Sequence, residues 1–311
     1  MPELHKYSGA GNDFVVLDGR NEDVSEFRTV ARIAALCDRE TGFVAADGRI
    51  GADGLMILND GDSEYDFRME YYNSDGSGGM MCGNGGRCIV AFADELGLRP
   101  RDGRVFRFAA ADGPHTGEII AREGGRKTVR LRMIDVHVFH PALDGWFVDT
   151  GTRHFVRFVP DAGAVDIEEE GRRARWDPVF APVGANANFV SVDPDGTLRV
   201  RTFEKGVEAE TLACGTGITA SAIAAFLSGR RPNASGFAVE RSEIRISGPT
   251  GPGTLAKTKS ERGLWSRGVA GGGAPFIYDI QARIAQLSVE FVPGDGCFTD
   301  VYLTGPADEV R

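Results

Sequence analysis

Two short segments of this chain share one arrangement. Cys82-Gly83-Asn84-Gly85 and Cys214-Gly215-Thr216-Gly217 both read Cys-Gly-x-Gly, and both run into small apolar residues. These are Cys88-Ile89-Val90-Ala91-Phe92-Ala93 in the first case and Ile218-Thr219-Ala220-Ser221-Ala222-Ile223 in the second. The first turn of a helix has N–H groups without intrahelical partners and a partial positive charge. Glycines there let the amides approach an anion such as a carboxylate. A cysteine in the same place has its thiolate stabilised, which lowers its pKa. Each segment therefore reads as a carboxylate cradle beside a reactive thiol. Two such units facing each other would hold one carboxylate with both sets of amides and flank the neighbouring carbon with both sulfurs. One thiolate would remove the α-proton while the other thiol donates one to the opposite face, inverting a stereocentre. Charge moves onto the carboxylate in the transition state, so its hydrogen bonds would strengthen there.

The rest of the chain must position these motifs. Strands are expected at Phe14–Asp18, Leu55–Leu58 and Phe67–Tyr72, with a helix over Asp23–Asp38 and a loop at 40–50. A Gly-rich segment at 73–87 precedes a helix over Cys88–Leu98 that stops near Pro100. From Val105 to Met133, short strands are broken by Asp112-Gly113-Pro114 and Gly124-Gly125, which signal hairpins. Further strands are expected at Phe155–Val159, Phe189–Val192, Leu198–Phe203, Glu243–Ser247, Leu287–Val292 and Val301–Thr304, with an Ala-rich helix over Thr216–Ser228. Residues 248–275 are rich in Gly, Pro, Lys and Ser without periodicity and read as an exposed, mobile insertion. Many short strands with few helices point to α+β rather than a βαβ array. A second echo, Phe14-Val15-x-x-Asp18 and Phe189-Val190-x-x-Asp193, accompanies the cysteine motifs, and the repeated order of features suggests two similar lobes.

The chain has 311 residues, 42% of them apolar, and a formal net charge of −10. That is one large domain or two ordinary ones, with enough apolar content for a core. The acidic balance argues against a general nucleic-acid binder. Glycine accounts for 42 residues, near twice its usual share of about 7%, and follows no three-residue period, which excludes collagen. No secretory signal is visible, and the most apolar helical run, Ile218–Leu227, is too short to span a bilayer. Five cysteines at irregular spacing are not a disulfide framework, and no Cys-x-x-Cys occurs, so zinc is a poor reading. The default is a reduced cytoplasmic protein.

A lone cysteine is most often a small buried hydrophobe, which is the reading for Cys37, Cys88 and Cys297. The repetition at two helix starts lifts Cys82 and Cys214 out of that class. A thiol-redox protein, with these two forming a reversible disulfide, is the other functional reading. A phosphate loop is weaker, because no Gly-Lys-Ser/Thr follows either segment.

The chain resembles the diaminopimelate epimerases, cofactor-independent enzymes of lysine and peptidoglycan-precursor synthesis. The stretches that carry the resemblance begin with Ser8-Gly9-Ala10-Gly11-Asn12-Asp13-Phe14, Gly51-Ala52-Asp53-Gly54 and Tyr72-Asn73-Ser74-Asp75-Gly76-Ser77. They continue with Cys82-Gly83-Asn84-Gly85-Gly86-Arg87-Cys88, and with Glu204-Lys205-Gly206 through Thr211-Leu212-Ala213-Cys214-Gly215-Thr216-Gly217. Thr150-Gly151-Thr152-Arg153-His154, Asn186-Ala187-Asn188-Phe189 and Leu303-Thr304-Gly305-Pro306-Ala307 match less strongly. The first cysteine motif differs from that of the related proline and hydroxyproline racemases.

The resemblance implies an α+β fold of two pseudo-symmetric lobes, each a curved, mostly antiparallel, barrel-like sheet around a central helix, with the active site between them. Residues 1–132 plus about 300–311 would form the lobe carrying Cys82, and 133–299 the lobe carrying Cys214. It implies a homodimer needing neither pyridoxal phosphate nor metal. Cys82 and Cys214 match the catalytic acid/base thiols. Gly83, Asn84, Gly215 and Thr216 match the carboxylate cradle. Asn12, Asn73, Thr152 and Asn186 match substrate-binding positions, as do Glu204 and Lys205. His154 and Glu204 match residues that tune the thiols. Such asparagines suit an ammonium and a carboxylate on one carbon, since each amide both donates and accepts; Glu204 would pair with the reacting ammonium and Lys205 with the distal carboxylate.

Three departures stand out. Lys205 replaces the usual Arg, turning a bidentate clamp into a point charge. Thr152-Arg153-His154 replaces Asn-Pro-His or Ser-Pro-His. Gly54 has no side chain where some members carry a substrate-contacting Gln. The expected activity is interconversion of LL- and meso-diaminopimelate. The rivals are an epimerase or racemase of another amino acid, and a non-catalytic or thiol-redox protein on the same fold.

Overall fold

The computed structural model describes residues 2–79, 82–123, 126–232 and 274–310. The Gly124-Gly125 turn, the 243–247 strand and the 248–273 part of the expected insertion lie outside the described residues. The chain divides into two compact units. The first holds Met1–Arg132, Ile284–Leu287 and Leu303–Arg311; the second holds Met133–Arg283 and Ser288–Tyr302.

In the first unit, β1 (His5–Gly9) and β2 (Asn12–Asp18) form an antiparallel hairpin with Gly9 opposite Asn12. The two-residue turn, Ala10-Gly11, has both residues at positive φ, the arrangement that matches strand twist. α1 (Val30–Cys37) then leads to β3 (Gly54–Asp60), parallel to β2. β4 (Phe67–Asn73) returns antiparallel to β3, and α2 (Gly83–Glu95) leads to β5 (Val105–Ala110), parallel to β4. β6 (Gly113–Glu123) and β7 (Arg126–Arg132) complete an antiparallel meander.

The second unit repeats this plan. β8 (Val138–Ala142) pairs with β9 (Gly145–Asp149), which pairs antiparallel with β10 (Arg153–Phe158). α3 (Ile167–Arg175) leads to β11 (Asn186–Val192), parallel to β10. β12 (Leu198–Glu204) returns antiparallel and carries the short β13 (Ala209–Thr211). α4 (Gly215–Leu227) precedes β14 (Phe276–Gln281), parallel to β12. β15 (Gln286–Pro293) and β16 (Phe298–Pro306) follow, and β17 (Asp308–Glu309), which belongs to the first unit, pairs with β1. The fold is α+β as expected, but the sheet is mixed, and among the described residues it forms no closed barrel.

Each repeat thus reads hairpin, helix, parallel strand, antiparallel strand, helix, parallel strand. The short sequence echo misaligns it: Phe14-Val15 lies in β2, whose counterpart is β10, whereas Phe189-Val190 lies in β11, the counterpart of β3. α2 packs against β1, β2 and β3 and also against β6 and β7, so the sheet must curve around it. Every residue of α2 from Gly83 to Ala93 is buried, and so is nearly all of α4, as central helices require. A satellite core of Val15, Leu17, Phe27, Ile33, Leu36 and Ile57 lies beneath α1. Phe147, Phe155, Ile167, Phe180, Phe189 and Phe203 form the corresponding cluster with α3.

Local chemistry explains where element boundaries depart from the sequence reading. The Asp23–Asp38 helix is broken at Thr29, which adopts an extended conformation and caps α1 by accepting the Arg32 N–H; a 3-10 turn, Ser25–Arg28, precedes it. α2 starts at Gly83, not Cys88, because the Gly-rich motif is itself the first turn. α3 buries a narrow apolar stripe, Ile167, Gly171 and Ala174, in a highly charged segment; Asp166 caps it, Glu168, Glu169 and Glu170 occupy its first turn, and Arg172, Arg173 and Arg175 its last, matching the helix dipole. The 40–50 loop is pinned: Val44 bridges Ile50, and the buried Lys6 ammonium donates to the carbonyls of Arg49 and Gly51.

Gly9 shows how closely β1 approaches α2. A Cβ there would lie 2.8 Å from the Asn84 carbonyl oxygen and 2.9 Å from Cys88 Sγ. Gly9→Ala should therefore lower stability by about 1–3 kcal/mol in urea titrations, while Gly78→Ala, with open space around it, should change it by less than about 0.5 kcal/mol. Equal effects would show that the close packing of β1 on α2 is wrong.

Candidate functional site

The strand registers gather the expected site residues at one end of each sheet. In the first unit, Asn12 opens β2, Gly54 opens β3 and Asn73 closes the antiparallel β4. Phe14 is opposite Gly54, and Gly54 opposite Asn73, so these termini are neighbours. In the second unit, His154 near the start of β10 is opposite Asn186 at the start of β11, and Glu204 closes β12. α2 and α4 begin at these same ends, as the hydrogen bonds below show.

Cys82 is the N-cap residue of α2, and its sulfur accepts the Gly85 N–H at 3.3 Å. Helix geometry leaves the amides of Gly83 and Asn84 without acceptors inside the helix. Asn84 Nδ2 donates to Asn12 Oδ1 at 2.6 Å, and Asn12 Nδ2 donates to Asp53 Oδ2 at 2.9 Å. Asp53 also accepts the Asp13 backbone N–H and pairs with Arg39. Arg39 and the buried Lys6 both pair with Asp13, at 2.8 and 2.9 Å. Burial opposes the charge on Asp13, but hydrogen bonds from Arg39 and Lys6 outweigh it and hold its carboxyl below the ordinary range. The Asn12 and Asn84 amides are thus oriented by fixed charges. Asn73, the last residue of β4, donates from Nδ2 to Ser77 Oγ at 3.0 Å across the turn that follows.

Cys214 holds the equivalent position at the N-cap of α4, where its sulfur lies 3.4 Å from Thr216 Oγ1. Behind it is His154, fully buried, with its pKa pushed down to about 3 by burial, so the ring is neutral. Asn188 fixes the tautomer. Its Oδ1 accepts from Thr202 and its Nδ2 donates to the Phe155 carbonyl, so the same Nδ2 faces His154 Nδ1 at 3.2 Å as a donor. Nδ1 accepts, and Nε2 carries the proton. Nε2 lies 2.8 Å from Thr152 Oγ1 and 3.0 Å from Thr216 Oγ1, and the Thr152 hydroxyl donates to Thr216 Oγ1 at 3.0 Å. The Thr216 hydrogen is then left for Cys214 Sγ, and a chain of donors runs from His154 to the sulfur. Gly217 allows this packing: a Cβ there would sit 2.4 Å from Asn188 Oδ1 and 3.2 Å from His154 Cε1.

Asn186 donates to the Arg153 carbonyl and accepts the Lys205 N–H at 2.7 Å, which ties the Glu204-Lys205 turn to the start of β11. The Lys205 side chain is exposed, and Glu204 is half-buried. Arg153 is part of the packing: its guanidinium donates to the Phe180 carbonyl and lies over the Phe147 ring.

The other cysteines are set apart by environment. Cys37 and Cys88 are buried; burial lifts the Cys37 thiol to about 11 and Cys88 well above the ordinary thiol range. Cys297 is only half-buried, in the turn after β15, which corrects its reading as a core residue. Sequence reasoning missed Asn188 and Asp53 as supports. Their signal was weak: Asn188 alternates with Asn186 on a strand, and Asp53 lies inside a matched stretch without a role assigned to it.

Two measurements test this half of the site. Thr216→Val removes the donor to Cys214; a lost hydrogen bond of about 1 kcal/mol corresponds to a rise in thiol pKa of somewhat under one unit, read from the pH dependence of Cys214 alkylation. An unmoved profile would remove the Thr216 contact from the account. His154 takes up a proton near pH 6.5 when unfolded but only near 3 when folded, so its contribution to stability is complete above about 6.5 and falls as pH drops, by about 1.4 kcal/mol per pH unit. His154→Gln should flatten that part of the urea-midpoint profile between pH 6.5 and 5; an unchanged slope would mean that His154 is not held neutral.

Comparison with known proteins places the chain in a family. A model of the diaminopimelate epimerase family matches residues 4–119 and 146–247. Diaminopimelate epimerase of Chlorobaculum tepidum is 43% identical over 72% of this chain and 83% of its own length. That of Flavobacterium psychrophilum is 40% identical over 99% of this chain and 98% of its own. Among solved structures, a Bacillus anthracis phenazine biosynthesis protein of the PhzF family superposes with a TM-score of 0.62 at 12% identity, covering 99% of this chain and 96% of that one. A probable proline racemase from Agrobacterium radiobacter superposes at 0.59 and 15% identity, covering 100% and 92%. These two likenesses establish the fold. The family pattern spans both cysteine-capped helices, and a relative aligns almost end to end: the chain belongs to the diaminopimelate epimerase family.

Proposed function

We propose that this protein is an isomerase that interconverts LL- and meso-2,6-diaminopimelate, with Cys82 and Cys214 as its two acid/base groups. The observation that carries the reading is that both cysteines cap the same helix of a repeated topology, in a chain of this family. One thiolate takes the α-proton from one face of the carbon, and the other thiol returns a proton to the opposite face. The amides of Gly83, Asn84, Gly215 and Thr216 hold the reacting carboxylate as charge builds on it. Glu204 pairs with the reacting ammonium, and the exposed Lys205 takes the distal carboxylate. Asn12, Asn73 and Asn186 use their remaining donor and acceptor capacity to read the configuration of the substrate. Thr152 and His154 act through the donor chain to Cys214. His154, neutral in the fold, orients that chain and does not itself carry the substrate proton.

Five cysteines at irregular spacing, unlike a disulfide framework, support a reducing, cytoplasmic location, and the family resemblance supports a homodimer. No helix among the described residues is long and apolar enough to cross a membrane. Arg153, spent on the packing beneath β10, lends no support to a different amino acid as substrate.

The test follows diaminopimelate in deuterated water under reducing conditions by NMR. Wild type should invert and exchange the α-proton. Cys82→Ala and Cys214→Ala should each lose inversion by about 10²–10⁴-fold. Exchange without inversion should survive, for a given stereoisomer, in at most one of the two variants. Full inversion by both variants would refute the two-thiol mechanism. Exchange with another amino acid but not diaminopimelate would move the substrate, and no exchange with any amino acid would refute the epimerase reading.

A further inference from the structure

Arg87 is a fully buried guanidinium in the second turn of α2. Its Nη1 donates to the Gly83 carbonyl at 3.2 Å, its Nη2 to Asn84 Oδ1 at 2.8 Å and its Nε to the Pro306 carbonyl at 3.4 Å. All three acceptors are neutral. A buried cation without a carboxylate is costly, and cores normally avoid it. Burial depresses the Arg87 pKa to about 10, which still leaves it charged at neutral pH. The bond to the Gly83 carbonyl sets the guanidinium against the residue that follows the Cys82 N-cap, and its charge interacts with the sulfurs of Cys82 and Cys88. Cys88 is held neutral by its own burial, which leaves the sulfur at the N-cap.

The fork of donors has a second effect. By donating to Asn84 Oδ1, Arg87 turns the amide so that Asn84 Nδ2 meets Asn12 Oδ1, and Asn12 Nδ2 in turn meets Asp53. An inverted Asn84 amide would set its NH₂ against the guanidinium. The backbone is shaped to admit the group, because a Cβ on Gly305 would come within 3.3 Å of Arg87 Nε.

We propose that Arg87 is a positioning residue for Cys82: held beneath the first turn of α2, its cation favours the Cys82 thiolate, and its planar fork locks the Asn84–Asn12 pair that faces the substrate. The proposal rests on Cys82 being one of the two acid/base thiols. Stability alone does not account for the group, since an apolar side chain of similar volume would fill the same space at less cost.

The experiment measures the pH dependence of Cys82 alkylation by iodoacetamide, resolved by peptide mass spectrometry, in the full-length protein. Cys214 is the internal reference. Arg87→Gln should raise the Cys82 pKa by about one unit and slow its alkylation at pH 7 roughly tenfold, leaving Cys214 unmoved. Arg87→Lys should restore much of the rate, because the charge returns without the fork. The acid limb of the kcat profile should shift with the Cys82 pKa. If Arg87→Gln does not fold, Arg87→Met replaces it: the charge is removed while an apolar chain of similar length fills the space, and the Cys82 pKa should rise likewise. A folded variant of either kind with an unshifted Cys82 pKa overturns the proposal even if the wild type epimerises diaminopimelate. A shifted Cys82 pKa in a protein without epimerase activity upholds the electrostatic role and overturns the functional reading instead.

Discussion

A helix buried on all sides has nowhere to send the amides of its first turn except into its own cap or a ligand. α2 and α4 are both such helices, and both are capped by a cysteine. Glycines follow each cap, so the backbone there can be approached closely. Much else in each unit serves this constraint. The sheet curves because strands from both ends of the meander must contact α2. The hairpin through Ala10-Gly11 ends at Asn12, beside the α2 cap, and the three-residue turn through Gly151 ends at Arg153, just before His154.

The two halves polarise their sulfurs by different means. At Cys82 the donor is a backbone amide, with a buried guanidinium beneath it. At Cys214 the donor is a hydroxyl at the end of a chain that begins at an uncharged imidazole. One arrangement places a net charge below the cap, the other a line of hydrogen bonds. The chain at Cys214 has a fixed sense only because Asn188 occupies His154 Nδ1, and the Asn188 amide is itself fixed by Thr202 and Phe155.

The cysteine motifs were legible because their chemistry is local: residue type and spacing alone mark a helix start. Most strands were legible from alternation. α3 was not, since its buried apolar face is narrow, Ile167, Gly171 and Ala174 only, and charged residues dominate the rest of the helix. The start of α2 was misplaced because glycines read as loop when their role is to pack a helix tightly. The second echo failed because Phe-Val pairs suit any half-buried strand, and only the pairing pattern tells β10 from β11. Site residues such as Asn12 and Asn186 were visible through family resemblance. The supports Asp53 and Asn188 were not, because Asn12 meets Asp53 41 positions on and His154 meets Asn188 34 positions on; Arg87 stood inside the quoted motif, but its burial could not be read from the motif.

A backbone amide can only give a hydrogen bond, whereas a hydroxyl can also receive one. The Gly85 N–H therefore offers Cys82 the same face in both of its protonation states, while the Thr216 hydroxyl can answer a protonated Cys214 by turning its own hydrogen away and receiving instead. The two ends of a duplicated plan have thereby ceased to be exchangeable parts. Each has inherited the position of the other but not its electrical temperament, and a graft of one motif onto the other scaffold would arrive without the partners that give it meaning.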